Sequence, residues 1–388
     1  MKLGLISDPS SLHTKNWIEG LQEYGVDVDI LFVKSWIFRK GEMQVFDRSK
    51  TILVEVPSFS SLVGNSLRNL TIGDVMNDIR YRTRLHQAVR FAGQKIKQIA
   101  VERNIDIIHA HGLATSILLA YYSGVRPYSA SAWGSDIYMM PNKYPYLKSM
   151  MAKAISNASF IHVESEISAN RVRKLSSNDY SKMYVSTWGV DTDIYRPSLS
   201  TDGLDFDIPQ RYILSFRSLE PIYRVNMIIK AFAILKQEVE ELILVVGSNG
   251  SLRANLESLT RSLMMEESVI FTGFLDENIK RRLFSNALLY VQCPITDGVS
   301  LAMMEAMSSG LPLVSSNVGE TSVLVQPEEN GFLIDETNPE NLAAAMMKIL
   351  KDDQLRTRMG IASRRLALQK HNRSKFFQTF VKSVEAVL

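Results

Sequence analysis

The sequence predicts an α/β protein of two doubly wound, Rossmann-like parallel-sheet domains facing across a deep cleft. A chain of 388 residues is long enough for two domains of ordinary size. Short apolar runs alternate with helix-patterned stretches in both halves, which is the order of βαβ units. Between the halves, residues 198–209 (SLSTDGLDFDIP) are polar, turn-rich and without apolar period, as a linker is. The expected domains are 1–197 and 198–371, and the local pattern leaves the amphipathic helix over about 372–388 open to either. Sheets of this kind bind ligands outside the carboxyl ends of their strands, which directs attention to the loops there.

The composition, 46% hydrophobic and 22% charged, belongs to a globular chain and excludes disorder. A single cysteine, Cys293, excludes a disulfide framework and a cysteine metal cluster. The opening MKLGLISDPSSLHT lacks the apolar core of a signal peptide, and no run approaches 18 apolar residues. A cytoplasmic protein is expected, soluble or held at the inner face of the cell membrane. Residues 1–195 carry 23 Lys and Arg against 18 Asp and Glu, a modest positive excess that suits an anionic membrane or acceptor.

Residues 2–7 (KLGLIS) read as a buried strand, followed by the loop DPSSLHT, a helix from about Lys15 to Tyr24 and the strand VDVDILFV. That loop has no glycine where a dinucleotide-binding turn needs it. Trp36, Ile37 and Phe38 lie between basic residues at 34–40, the make-up of a membrane-surface contact. Helical spacing of Leu85, Val89, Ala92, Ile96 and Ile99 predicts a basic helix from about Asp78 to Arg103. No aromatic platform interleaves its charges, as single-strand binding would require, so a solvated face rather than a nucleic-acid site is expected there. IDIIHAHG (105–112) is a strand with His109 and His111 on one side, without a third ligand for a metal. YSASAWGSDIY (128–138), ASFIHVESE (158–166) and KMYVSTWGVDTDIYRP (182–197) complete the first half. In the second, RYILSF, LILVVGSNG, VIFTGFL and ALLYVQCP read as successive strands.

Residues 297–319 (DGVSLAMMEAMSSGLPLVSSNVG) place an acid and Gly298 before a short helix, with Glu305 inside it and a glycine exit to a strand. Amides around Ser300, Leu301 and Ala302 would be first-turn donors at the positive end of the helix dipole, and Ser300 can cap the turn. Glu305, deeper in the helix, could accept two vicinal hydroxyls such as those of a ribose. One segment could therefore hold a phosphate and a sugar.

That segment resembles the donor-binding Glu-x7-Glu signature of retaining GT-B glycosyltransferases of the family 4 type (glycosyl transferases group 1). Glu305-Ala306-Met307 and Gly310-Leu311-Pro312 match, Asp297 stands for the first glutamate, and Ser300 holds the small position. FRSLEPIYRVNMIIKAF (216–232) is similar to the family's G-R-L-x-P-E-K-G. Arg217 matches the arginine, while the lysine position falls on Tyr223 or Arg224. DIIHAHG resembles a strand end that leads into the acceptor side. In the next loop Trp133 replaces the family's histidine, with Gly134, Ser135 and Asp136 retained.

The resemblance implies a GT-B fold whose last helix returns to the first domain, and transfer from a nucleoside-diphosphate sugar without metal or cofactor. It implies Arg217, Arg224, Asp297 and Asp136 as the catalytic set. Glu305, Ser300, Leu301, Gly298, Gly273, Phe274, Leu275 and Tyr223 are the implied donor-binding residues, and Ser11, His13, His111 and Trp133 face the acceptor. A lipid-linked or growing surface saccharide is the expected acceptor. Two alternatives stand beside this reading: a non-hydrolysing nucleotide-sugar epimerase, and a catalytically weak nucleotide-sugar binding protein.

Overall fold

The computed structural model describes residues 1–33, 49–54, 79–138, 140–143, 145–176, 181–200 and 209–388. The aromatic and basic stretch at 34–40, residues 60–72 and most of the turn-rich segment 198–209 lie outside the described residues. So do the side chains of Arg80, Arg82 and Arg84. Two units follow from the packing: Met1–Ser186 with Lys375–Leu388, and Thr187–Ser374.

The first unit contains a seven-stranded sheet in the order β3-β2-β1-β4-β5-β6-β7, with every described pairing parallel. Its strands are β1 (Lys2–Ile6), β2 (Asp27–Val33), β3 (Thr51–Val54), β4 (Ile107–His111), β5 (Tyr128–Ser131), β6 (Phe160–Val163) and β7 (Met183–Val185). The apolar stripe of the helix Ile79–Glu102, with Leu85, Val89, Ala92 and Ile96 buried, packs into the core on this sheet. Trp17, fully buried on the helix Leu12–Gln22, meets Phe376, Phe377 and Phe380 of the helix Arg373–Glu385 edge-on at 5.0–5.6 Å. Gly20 lies at that seam, where an added Cβ would stand 2.1 Å from the Phe377 ring.

The second unit repeats the design with β8 (Tyr212–Phe216), β9 (Ile243–Gly247), β10 (Val269–Gly273), β11 (Tyr290–Gln292), β12 (Leu313–Ser316) and β13 (Gly331–Ile334). Their order is β10-β9-β8-β11-β12-β13, again parallel. In each sheet the first strand of the unit is flanked by the second and by the fourth. The strand order reverses there, leaving a crevice at the carboxyl ends of β1 and β4, and of β8 and β11.

Candidate active site

In the second unit both sides of that reversal point carry charge. Arg217 directly follows β8. Its Nη2 donates to Asp297 Oδ1 at 3.0 Å and its Nη1 to Ser300 Oγ at 2.5 Å. The Tyr223 ring lies 4.1 Å from the guanidinium carbon, a cation–π contact. Burial works against the charge of Arg217, but Asp297, Tyr290 and Tyr223 together outweigh it and hold the guanidinium above its ordinary value. Burial pushes the Asp297 carboxyl upward, and Arg217 counters it.

Ser300 caps the helix Leu301–Ser308 by accepting from Met303 N. The backbone oxygen of Asp297 accepts from Glu320 N at 3.1 Å. Gly319, at φ 56°, passes so close that a Cβ there would fall 2.0 Å from that oxygen. Only glycine combines this conformation with so close an approach.

Glu305 is buried within the same helix and pairs with Lys280 of the helix Glu277–Asn286, Nζ to Oε1 at 2.6 Å. The rings of Tyr195, Phe216 and Phe284 stand 5.3–5.9 Å from that ammonium. Burial raises the Glu305 carboxyl, and Lys280 is the strongest influence opposing it. At the carboxyl end of β10, Gly273 takes φ 69°, its carbonyl accepts from Ser248 N at 2.9 Å, and Phe274 is 81% exposed beside it. Leu275 follows, one residue before the cap of the next helix. These groups share the carboxyl edge of one sheet.

The carboxyl ends of β1 and β4 in the first unit gather imidazoles, hydroxyls and an indole. His111 Nδ1 lies 3.0 Å from Ser7 Oγ, which is 2.6 Å from Thr14 Oγ1. The Trp133 ring packs between His13 and His111, with centroids 5.3 and 5.4 Å away. Behind them His109 bridges Ser129 and Ser131, and His162 joins Ser131 to the Ser186 carbonyl. Burial lowers all of these imidazoles, His111 to about 3 and His162 to about 4. Ser11 occupies the N-cap of the helix Leu12–Gln22 without a capping bond from its side chain.

Family models match both units: "Glycosyl transferases group 1" over residues 203–366 and "Glycosyl transferase 4-like" over residues 64–165. The chain is a group 1 glycosyltransferase. It is 21% identical to the N-acetyl-alpha-D-glucosaminyl L-malate synthase of Bacillus anthracis, over 74% of this chain and 76% of that one. It is 22% identical to the GDP-mannose-dependent alpha-(1-6)-phosphatidylinositol monomannoside mannosyltransferase of Mycolicibacterium smegmatis, over 75% and 79% of the two chains. Among solved structures, HepE of Anabaena in complex with UDP superposes with a TM-score of 0.77 at 16% identity, covering 99% of both chains. The two parallel-sheet units are those of the GT-B fold. The activity is sugar transfer from a nucleotide-sugar donor, which disfavours the epimerase alternative.

Within this glycosyltransferase the structure brings Arg217, Tyr223, Asp297 and Ser300 together, with Gly298 and Leu301 adjoining. Two expected residues are placed otherwise. Arg224 does not join Arg217: its Nε and Nη2 donate to the Cys293 and Pro294 carbonyls at 3.0 and 2.9 Å, bolting the loop after β11. It also adopts φ 46°, a left-handed backbone that sequence spacing does not reveal. Asp136 is no free acid. Its oxygens accept Leu113 N at 2.5 Å and Trp133 N at 2.9 Å, and burial pushes its carboxyl up to about 7. It braces the loops after β4 and β5.

Two residues went unforeseen. Lys280 shares the buried stripe of Leu283 and Phe284, and a lysine on an apolar stripe is a detectable signal. Gln292, fully buried in β11, reaches Asp297 Oδ2 at 3.4 Å and accepts from Ser300 Oγ at 3.3 Å. Its signal is an amide inside an otherwise apolar strand.

Proposed function

We propose that this enzyme transfers a sugar, with retention of anomeric configuration and without a metal ion, from a nucleoside-diphosphate sugar to a hydroxyl of a lipid-linked or growing saccharide. The observation that carries the proposal is Arg217, part-buried against Asp297, Ser300 and the Tyr223 ring, at the N-terminus of the helix Leu301–Ser308. A guanidinium and unpaired first-turn amides converge there, as a departing diphosphate requires. Arg217 neutralises charge growing on the leaving group, and the amides of Leu301 and Ala302 donate to its oxygens. Asp297 orients the guanidinium and takes hydroxyls of the transferred sugar. Glu305 takes the ribose diol, and the backbone at Gly273, Phe274 and Leu275 borders the base.

In this scheme the cationic work falls to Arg217 and the helix end. Retention needs no protein nucleophile here: the departing phosphate takes the proton of the acceptor hydroxyl on the same face. His13, His111 and Trp133 form the acceptor-side surface of the first unit, where the indole offers a face for a sugar ring. The phosphatidylinositol mannoside acceptor named for the mycobacterial relative supports an acceptor carried on lipid. Among the described residues no helix is long and apolar enough to cross a membrane.

The test uses UDP- and GDP-sugars with saccharide acceptors, reading the product anomer by NMR. An α-linked product from an α-linked donor is expected, and an inverted linkage would overturn the retaining assignment. Arg217→Ala should lower turnover roughly a hundred- to a thousandfold with the fold intact. Unchanged turnover would remove the donor site from this edge.

A further inference from the structure

We propose that Lys280 is the positioning residue of the nucleotide subsite: its ammonium fixes one oxygen of Glu305 so that the carboxylate meets the donor ribose charged and in one orientation. The proposal rests on the reading of Glu305 as the ribose group. Lys280 and Glu305 come from different helices, their side chains are 16% and 5% exposed, and they meet at 2.6 Å. The ammonium lies among three aromatic rings. Burying a lysine there is costly, and an apolar residue of similar volume would fill the stripe at no such cost. What the charge adds is a fixed direction for the carboxylate.

A carboxylate offers about four lone-pair positions. Lys280 uses one, on Oε1, and the Tyr195 hydroxyl lies against the same group. Positions remain for a vicinal diol. Tyr195 donates to Glu277 Oε1, and Glu277 lies 3.9 Å from the same ammonium, so both partners of Glu305 are themselves held. Phe216, one of the three rings, is followed directly by Arg217. The ion pair at the ribose and the ion pair at the diphosphate are thus joined through consecutive residues at the end of β8.

The groups that face Glu305 are Lys280 and Glu277 from one helix, Tyr195 from its loop and Tyr290 from β11. Lys280 is the cation among them. Without it, burial and Glu277 both drive the carboxyl toward protonation. A protonated Glu305 loses acceptor capacity and the charge that strengthens its hydrogen bonds to the diol. Donor affinity should then fall as pH falls.

The experiment titrates UDP and 2′-deoxy-UDP into the full chain by calorimetry between pH 6 and 8.5, with GDP and 2′-deoxy-GDP replacing them if uridine is not held. The proteins are the wild type, Glu305→Gln, Lys280→Gln and Lys280→Arg. The wild type should prefer the ribonucleotide at every pH, and E305Q should lose the preference. K280Q should weaken the ribonucleotide roughly ten- to hundredfold at pH 6, recover part of that by pH 8.5, and be restored by the arginine variant. If E305Q keeps the wild-type preference, the ribose reading of Glu305 fails. If E305Q loses it while K280Q keeps wild-type affinity, preference and pH profile, the Lys280 proposal fails alone. Should K280Q not fold, the double variant K280M/E305Q removes both charges. It should bind the two nucleotides equally, and a retained preference overturns the proposal.

Discussion

The two units of this glycosyltransferase share one topology and bury different chemistry at the same point of it. At the reversal between β1 and β4 the first unit gathers imidazoles, hydroxyls and an indole, with the buried acid Asp136 held by backbone amides. At the reversal between β8 and β11 the second holds two part-buried ion pairs, Arg217–Asp297 and Lys280–Glu305. A fold fixes where a site can form, and the residues at the strand ends decide what it handles. Neutral donors and acceptors suit an uncharged hydroxyl acceptor. Fixed charges suit a diphosphate, whose charge grows as the sugar leaves.

The contrast can be broken by acid. His109, His111 and His162 of the first unit, and His371 elsewhere in the second, are all depressed by burial and stay neutral when folded. The unfolded chain takes up their protons below about pH 6.5, so their contribution to stability is present above that pH and is lost as pH falls toward 4 and 3. Each imidazole adds a slope of about 1.4 kcal/mol per pH unit in that window. Asp136, raised to about 7, contributes the opposite slope and removes part of the effect. Unfolding midpoints in urea from pH 8 to pH 4.5 should therefore hold steady above neutrality and then drop. A flat profile would mean that these rings are not buried neutral.

Removing one member of a buried ion pair tests the second unit. Lys280→Met should cost about 3–5 kcal/mol, and Lys280→Met with Glu305→Gln much less, because no uncompensated charge remains. Chemical denaturation of both variants measures the difference, and equal losses would show that the pair is not coupled. Activity comes next: Arg217→Ala corresponds to about 2.7–4 kcal/mol of transition-state stabilisation, read as kcat. The smallest effect belongs to the apolar seam of the first unit, which carries no charge. Gly20→Ala pushes a methyl into Phe377 and should lower stability by about 1–3 kcal/mol without altering donor affinity. A neutral outcome would show that the aromatic cluster yields.

Most of the strands were legible as apolar runs: KLGLI, DVDILFV, ILVVG and YILSF each form the expected strand. β3 (TILV) and β13 (GFLI) were not read. Both have four residues and end their sheets, and Leu53 in β3 is 46% exposed, so neither shows a buried strand's pattern. The meeting of Arg217 with Asp297 and Ser300 could be anticipated because each follows or adjoins a strand beside the reversal point. The turn of Arg224 toward two carbonyls could not, since a left-handed residue leaves no mark in spacing. The partners of Asp136 were hidden for a related reason: an acid near a strand end looks the same whether it meets a substrate or two backbone amides. Lys280 and Gln292 owe their roles to partners 25 and 5 residues away, and a single sequence does not pair them.

The division of the chain also constrains the timing of its synthesis. Trp17 is made before the second unit, yet the phenylalanines that cover it belong to residues 376–380, after the entire second unit. At ordinary translation rates the gap between residues 186 and 375 lasts on the order of ten to forty seconds. During that interval the ribosome-bound first unit has its sheet but not its final helix. An indole waits beside Gly20 for aromatic partners still to be translated.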